Sequence, residues 1–568
     1  MKTTDYVTYS QFGASADGVT NDFYKIKAAH DYANANGLPV KADGEKYLIR
    51  ETVGEDGKAE RIVIKTSVDF GNATFIIDDS ALSYYSEDGM ARSHVFSVES
   101  DNEPITITDR NILSELDGIG EGTKKLNYAP GYPAMLVIYN EEHNVFRRYG
   151  GYSAKNGCAQ KELISVSPSG EVDASTPFMF NYPKVTRMDV YRTDDKPITL
   201  SGGTFITVSG RENIFPFDEA TGERKCIGGY FSRGMRISRS HTTLKGVKHL
   251  IEGEYTVREE AELKVGGPFY SGFFCPCYAD EVTLTDCVLT GRRCYTRPQG
   301  GATGTYDFNA AMVNKIRLIG CTQSNFKVDQ TTGVAPTEDS RPEDIVYSMS
   351  RSNVSGHMIC WGIGGTNFCK NMEYVCCTLS RFDAHQGLYN GLIKDSTINF
   401  MELTGKGEMR IEGVDWYSPG PGETYNSFVY LRSDYGSTWD GTVTIKDSTA
   451  HVSHGDTYIF AHSYANWDFG YICHFPSLEI DGLRYEGLDE GADIYLVTES
   501  RSVKKEPALH LPKTKNIPYT DENGERSFVN MNPIAPPKRV RVRNLHDGRR
   551  LKVSLDEDFY AGTEFIYK

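Results

Sequence analysis

Four stretches of one design recur in the last third of the chain: Asp383-Ala384-His385, Phe400-Met401-Glu402-Leu403, Tyr430-Leu431-Arg432-Ser433-Asp434 and Ile459-Phe460-Ala461-His462. Each alternates apolar and polar residues, the pattern of a strand with one buried face. Each is followed by a second apolar run carrying an Asp or Gly turn, around Asp395, Gly413, Asp447 and Gly482. Strand, turn, further strand pieces and the same again is the rhythm of a solenoid. Stacked coils lie ~4.8 Å apart. Residues distant in sequence then form a ladder on one outer face, and here the ladder reads Asp, His, Glu, Arg, Asp, His.

A length of 568 residues is long for one compact core, but a solenoid grows by adding coils. Gly is plentiful (55), Tyr reaches 35, and helical periodicity is scarce, so the expected class is all-β. A formal charge of -16 argues against nucleic acid or an anionic membrane as partner, because neutralising phosphates needs surplus Lys and Arg. No apolar run is long enough to span a bilayer. Met1 to Asp5 carries no signal-peptide core. The expected location is therefore cytoplasmic or virion-associated, unless a leader has been removed. The twelve cysteines include Cys275-Pro276-Cys277 and the adjacent Cys376 and Cys377, and neither pair has the two-residue gap of a zinc knuckle. They read as small apolar core residues, and no metal site or disulfide framework is expected.

Near the start, Phe12-Gly13-Ala14 and Asp17-Gly18-Val19-Thr20-Asn21-Asp22 precede an amphipathic run through Ile26, Ala29, Tyr32 and Ala33 to Gly37. The spacing predicts one helix of about four turns, long enough to cap the open end of a first coil. This opening resembles the N-terminal motif of the pectate-lyase-like right-handed β-helix superfamily, with Asn21 where an Asp is usual. The resemblance implies a right-handed single-stranded parallel β-helix with an N-terminal capping helix. From 105 to 195 the turns become hairpin-like, Ser169-Gly170 among them, which predicts an antiparallel β insertion. The expected organisation is cap and first coils at 1–104, insertion at 105–195, the β-helix with its active face at 196–500, and a C-terminal β extension at 501–568. In that extension, strands around Val540 and Leu551 are expected to pack across the last coil.

Aligned by their alternation, one strand per coil falls on a common sheet, at about 270–276, 308–313, 357–363, 383–388, 400–404, 428–434 and 458–464. The set expected to face outward is His357, Trp361, Arg381, Asp383, His385, Glu402, Tyr430, Arg432, Asp434, Phe460, His462 and Tyr464. Two carboxylates flanking a glycosidic bond are the minimum for hydrolysis. Asp383 and Glu402 would lie one coil apart, ~5 Å between backbones, and Asp383 and Asp434 two coils apart, ~10 Å. The shorter spacing suits a retaining enzyme and the longer an inverting one, so the stereochemistry stays open. Arg381 and Arg432 can lower a neighbouring carboxylate's pKa or hold an anionic substituent. His385 can relay a proton, and Trp361, Tyr430 and Tyr464 offer flat platforms for sugar rings. Against this stands a plain solvated sheet with cross-strand ion pairs.

The strings Trp361-Gly362-Ile363-Gly364-Gly365, Ser380-Arg381-Phe382-Asp383-Ala384-His385, Leu431-Arg432-Ser433-Asp434-Tyr435-Gly436-Ser437-Thr438-Trp439 and Asp468-Phe469-Gly470-Tyr471 are similar to those of phage tail-spike or pre-neck-appendage-like β-helix proteins. That resemblance implies binding and cleavage of a complex glycan, a homotrimer as the common assembly, and Asp383, His385, Arg432, Asp434 and Trp439 as matching site positions. Three functions compete. The leading one is a glycoside hydrolase with Asp383, Asp434, Glu402 and His385 as catalytic residues. It would bind substrate through Arg381, Arg432, Trp361, Tyr430, Trp439, His462, Tyr464 and His357, with no cofactor. The second is a polysaccharide lyase using Arg381, His385 or Tyr389 as base, for which Ca²⁺ against a uronate carboxylate would be the natural cofactor. The third is a non-catalytic spike that grips glycan along the ladder.

Overall fold

Three parallel walls of short strands wind through the computed structural model, and each wall repeats in register from coil to coil. The structure describes the chain except for residues 1–4, 147–156, 211, 213–216, 225–228, 254–268, 297–301, 325, 330–332, 336–362, 419–425, 433–434, 436–437, 453–454, 462–470, 498–515, 521–525, 531–533 and 554–559. On the first wall, Thr242, Val282, Ile316, Met372, Gly391, Met409, Val443, Leu478, Val540 and Phe565 stand one above another in parallel pairing. The apolar positions two residues on, from Leu284 and Leu318 through Tyr374, Ile393, Ile411 and Ile445 to Ile480, are fully or almost fully buried in the shared core. Period-2 alternation thus becomes a vertical apolar stack. The second wall stacks Thr322, Thr378, Thr397, Asp415, Thr449 and Arg484. The third stacks Ile62, Phe96, Met235, Phe274, Phe308 and Ile363, and later Glu402, Tyr430 and Ala461. This is a parallel β-helix.

The corner between the first and second walls explains the recurring Asp and Gly. Gly246, Asp286, Gly320, Cys376, Asp395, Gly413, Asp447, Gly482 and Asn544 all hold φ between 46° and 92°. That left-handed region is costly for most L-residues and tolerated by Gly, Asn and Asp. Corner N–H groups bond to the next coil: Asp286 to Ile319 O, Asp395 to Glu412 O and Gly413 to Lys446 O. Just past the corner, Cys287, Cys321 and Cys377 stack inward as free, buried thiols.

Close backbone approach fixes glycine elsewhere. A Cβ on Gly405 (φ +152°) would sit 1.9 Å from Leu388 O, and one on Gly441 would meet Gly407 O at the same distance. Backbone atoms of a paired rung cannot swing away, so Gly405→Ala is expected to destabilise the protein by about 1–3 kcal/mol, the range for overpacking. Denaturant unfolding of the variant against wild type checks this.

The helix Phe23–Asn36 covers the first coil with Phe23, Ile26, Ala29 and Ala33 and ends at Gly37. Four strands between 105 and 192 form an antiparallel sheet in the order Cys158–Val166, Ala134–Val145, Arg187–Arg192, Ile105–Ile107. One face of it closes a small core with Leu116, Leu136, Ile164 and Tyr182. The other lays Met135, Val137 and Leu163 against Met312, Phe368 and Tyr435 of the coils. A buried ion pair pins this contact: Lys370 Nζ lies 3.0 Å from Glu162 Oε2, and Glu162 also accepts from the Met179 and Phe180 N–H groups.

One expectation is corrected. The strand around Val540 does not lie across the last coil. Arg539–Leu545 pairs in register on Ser477–Glu486, and Glu564–Tyr567 pairs on Arg539–Leu545 in turn, so the first wall continues. Of the rung expected at 357–363 only Ile363 is described, and there the strand Ile363–Asn367 pairs with the coil before it.

Candidate functional site

The strand Thr378–Asp383 turns from the second wall into the third, and Thr397–Leu403 follows it one coil on. Their register sets Arg381 beside Phe400, Phe382 beside Met401 and Asp383 beside Glu402. Phe382, Ala384, Met401 and Leu403 point into the core. Alternation therefore sends Arg381, Asp383, His385 and Glu402 to the other side, and they meet there.

Arg432 Nη1 lies 3.1 Å from Asp383 Oδ1 and 3.2 Å from Glu402 Oε2. Arg381 Nη2 lies 3.0 Å from Asp383 Oδ2 and also bonds Glu402 Oε2. Two carboxylates are thus bridged by two guanidiniums, a locally neutral set. Burial alone would raise the Asp383 pKa, but the charges of Arg381, Arg432 and His385 outweigh it and hold the carboxyl well below the usual range. Asp383 is ionised throughout the neutral region.

At the edge of this cluster His385 Nδ1 stands 3.5 Å from Asp383 Oδ2, and its Nε2 lies 3.3 Å from the Tyr435 hydroxyl. The side chain of His385 keeps 22% of its surface exposed, against 1% for Asp383. A Cβ on Gly365 would fall 2.4 Å from His385 Cβ, so only glycine admits the imidazole there. Phe400 and Tyr430 flank the cluster with ring centroids 5.6 Å apart, and the Arg381 guanidinium lies 5.9 Å from the Phe400 ring.

The expected ladder is brought together in part. Arg381, Asp383, His385, Glu402 and Arg432 converge, with Tyr430 on the adjoining rung. Asp383 and Glu402 were expected on an open face, yet they are 1% and 7% exposed, and the arginines that bridge them are buried with them. Trp439 is no sugar platform: it is fully buried in the core of the first wall, paired with Gly405 and bonded through Nε1 to Gly407 O at 3.0 Å. Phe460, expected outward, is buried beside Val497. Tyr389 lies on the first wall between Lys370 and Lys406, outside the cluster. His357, Trp361, Asp434, His462 and Tyr464 lie outside the described residues. Tyr435 and Gly365 were not foreseen, although both sit inside strings the sequence offered. Among the described residues no group of three or more His, Cys, Asp or Glu side chains is arranged to hold a metal ion. Among them, too, no helix is long and apolar enough to cross a membrane.

No protein-family model and no curated protein matches the chain. Solved structures do. The tailspike of Pseudomonas phage LKA1 is 10% identical, over 98% of this chain and 84% of that one, with a TM-score of 0.43. A tailspike of Acinetobacter baumannii phage AP22, solved in complex with capsular saccharide, is 11% identical over 88% of this chain and 78% of its own, with a TM-score of 0.29. An exopolygalacturonase from Thermotoga maritima is 8% identical over 87% and 91%, with a TM-score of 0.30. The architecture of this chain stands on its own rung register.

The depressed Asp383 pKa has a consequence for stability. A carboxyl whose folded pKa lies below its unfolded value of about 3.9 contributes stability that is fully present above that pH and is lost as the pH falls below it. The difference in melting temperature between wild type and Asp383→Asn is therefore expected to be constant from about pH 5 to 8 and to shrink below about pH 4. Thermal unfolding across that range checks it.

Proposed function

We propose that this protein is a glycan-cleaving enzyme, and that it is a glycoside hydrolase centred on Asp383, Glu402 and His385. One observation carries the reading: a fully buried, ionised carboxylate held between two arginines with a partly exposed histidine at its edge. Buried ion clusters of this kind add little to stability over apolar packing of equal volume, and strongly perturbed carboxylates concentrate at functional sites. A solvated sheet face has no need of one.

The parts suggest distinct duties. Asp383, kept ionised, is no proton donor. It is suited to orient His385 through Nδ1 and to stabilise the imidazolium that forms when His385 takes up a proton. His385 is the exposed titratable group of the set and is suited to move the proton between water or the leaving oxygen and the cluster. Arg381 and Arg432 hold both carboxylates in place. A second reading, β-elimination from a uronic acid, is favoured by the Tyr435–His385–Asp383 chain, which can pass a proton without a carboxylic acid.

Digestion of a panel of bacterial and plant polysaccharides, followed by mass analysis, tests the proposal. Hydrolysis yields fragments carrying one added water and a new reducing end. Elimination yields an unsaturated product that absorbs in the ultraviolet, and would replace hydrolysis by the second reading. Binding of a glycan with no product from any member of the panel would leave a binding spike and remove the enzyme.

A further inference from the structure

A second concavity lies where the antiparallel insertion meets the first wall, and the chemistry proposed above does not use it. It encloses about 250 Å³. Phe146, Phe180 and Tyr471 supply apolar lining, and Lys406, Asp440 and His474 supply polar groups. We infer that this cavity binds a single neutral sugar ring, as a glycan-holding subsite separate from the Asp383 cluster. The inference does not rest on cleavage, since a spike without chemistry would use the same cavity.

The lining is divided in the manner a pyranose requires. Phe146 is itself buried (3% exposed), and its ring packs edge-on against Tyr471 at 5.1 Å and Phe180 at 5.9 Å, which leaves those two half-buried rings to line the opening with an aromatic surface. Such a surface suits the C–H face of a sugar. The polar residues can meet hydroxyls: Lys406 Nζ lies 3.1 Å from Asp440 Oδ2 and 2.7 Å from Glu121 Oε1, and His474 Nδ1 lies 3.7 Å from Asp440 Oδ1. Pockets for small ligands join an apolar lining to a few convergent polar groups in this way.

Charge selects among sugars. One lysine faces two carboxylates here, Asp440 and Glu121. Burial pushes the His474 pKa down, so the imidazole adds no positive charge at neutral pH. With Lys538 also acting on His474, two lysines stand against Asp440 and Glu121, so a uronate or sulfated ring finds no surplus of positive charge to hold it, whereas a neutral ring meets donors and acceptors of both kinds.

The aromatic wall is held at a backbone cost. Phe146 sits at φ +51°, a conformation bulky residues rarely adopt. Its ring is seated against Gly387, where a Cβ would come within 2.9 Å of it. Gly387 follows His385 by two residues, so the cavity's wall and the charged cluster share one short segment.

Ligand-observed saturation-transfer NMR on the intact chain tests the inference, with glucose, galactose, N-acetylglucosamine and glucuronate as probes. At least one neutral pyranose is expected to give transfer, and glucuronate less. The signal should fall at least about tenfold in Ile472→Trp, which enlarges a half-exposed side chain (49%) at the cavity's rim. It should fall likewise in Tyr471→Ala. Unchanged melting temperatures establish that the variants are folded, and Ile472→Trp, at an exposed position, keeps the test open if Tyr471→Ala does not fold. Absence of transfer from every neutral sugar, transfer from glucuronate alone, or a signal that survives Ile472→Trp would overturn it.

Discussion

His385→Gln is expected to lower turnover of the cleaved glycan by about 10²- to 10⁴-fold, the usual worth of a positioned acid–base group, while the melting temperature barely moves. The imidazole is the exposed member of the cluster, bonded to Tyr435 and facing Asp383 across 3.5 Å. Glutamine keeps a comparable length and hydrogen-bonding capacity but cannot carry a proton between pH 5 and 8. Substrate affinity should change far less than the rate. Steady-state kinetics over that pH range, with binding measured separately by calorimetry, reads both effects. A variant that retains full turnover would remove His385 from the chemistry.

Asp383→Leu is expected to be the most damaging single change for stability, costing about 3–5 kcal/mol, the penalty for stranding a buried charge without its partner. Arg381 and Arg432 would then share one carboxylate, Glu402, in a region almost closed to water. The double variant Asp383→Leu with Arg432→Leu removes one charge of each sign. It should recover much of the lost stability, because a buried pair exchanged for apolar side chains is often neutral or better. Activity should not return with it. Denaturant unfolding alongside kinetics separates the two roles. If the double variant is less stable than Asp383→Leu alone, the arginine has a packing duty beyond its charge.

Much of the architecture was legible because each coil repeats the same local demands. The Asp or Gly after each apolar run marks the left-handed corner, as Asp395, Gly413 and Asp447 show. The helix after Asp22 could be read from its spacing and from Gly37, whose N–H bonds Ala33 O. The convergence of Arg381, Asp383, Glu402 and Arg432 followed from alternation and rung stacking alone.

What could not be read was set by tertiary contact. Alternation gives the face a residue points to, but not how deeply its surroundings bury it, and so the burial of Asp383 together with Arg381 and Arg432 was invisible. Trp439 opens the strand Trp439–His451, and nothing local fixes which way that strand begins. It points inward because its partner rung starts at Gly405. Phe460 slipped for a similar reason: Val429 pairs with it rather than with Ile459. The cavity between Phe180 and Tyr471 joins segments almost three hundred positions apart and leaves no periodic trace. Its lining residues read as ordinary loop and strand until the insertion docks.

The most direct measurement is a crystal structure of the His385→Gln variant soaked with an uncleaved oligosaccharide that the wild-type protein degrades. The account predicts the scissile linkage at the mouth of the cluster, its bridging oxygen within hydrogen-bond reach of residue 385 and its ring against Tyr430. A glycan chain lying along a different wall, with Asp383 and His385 untouched, would contradict it.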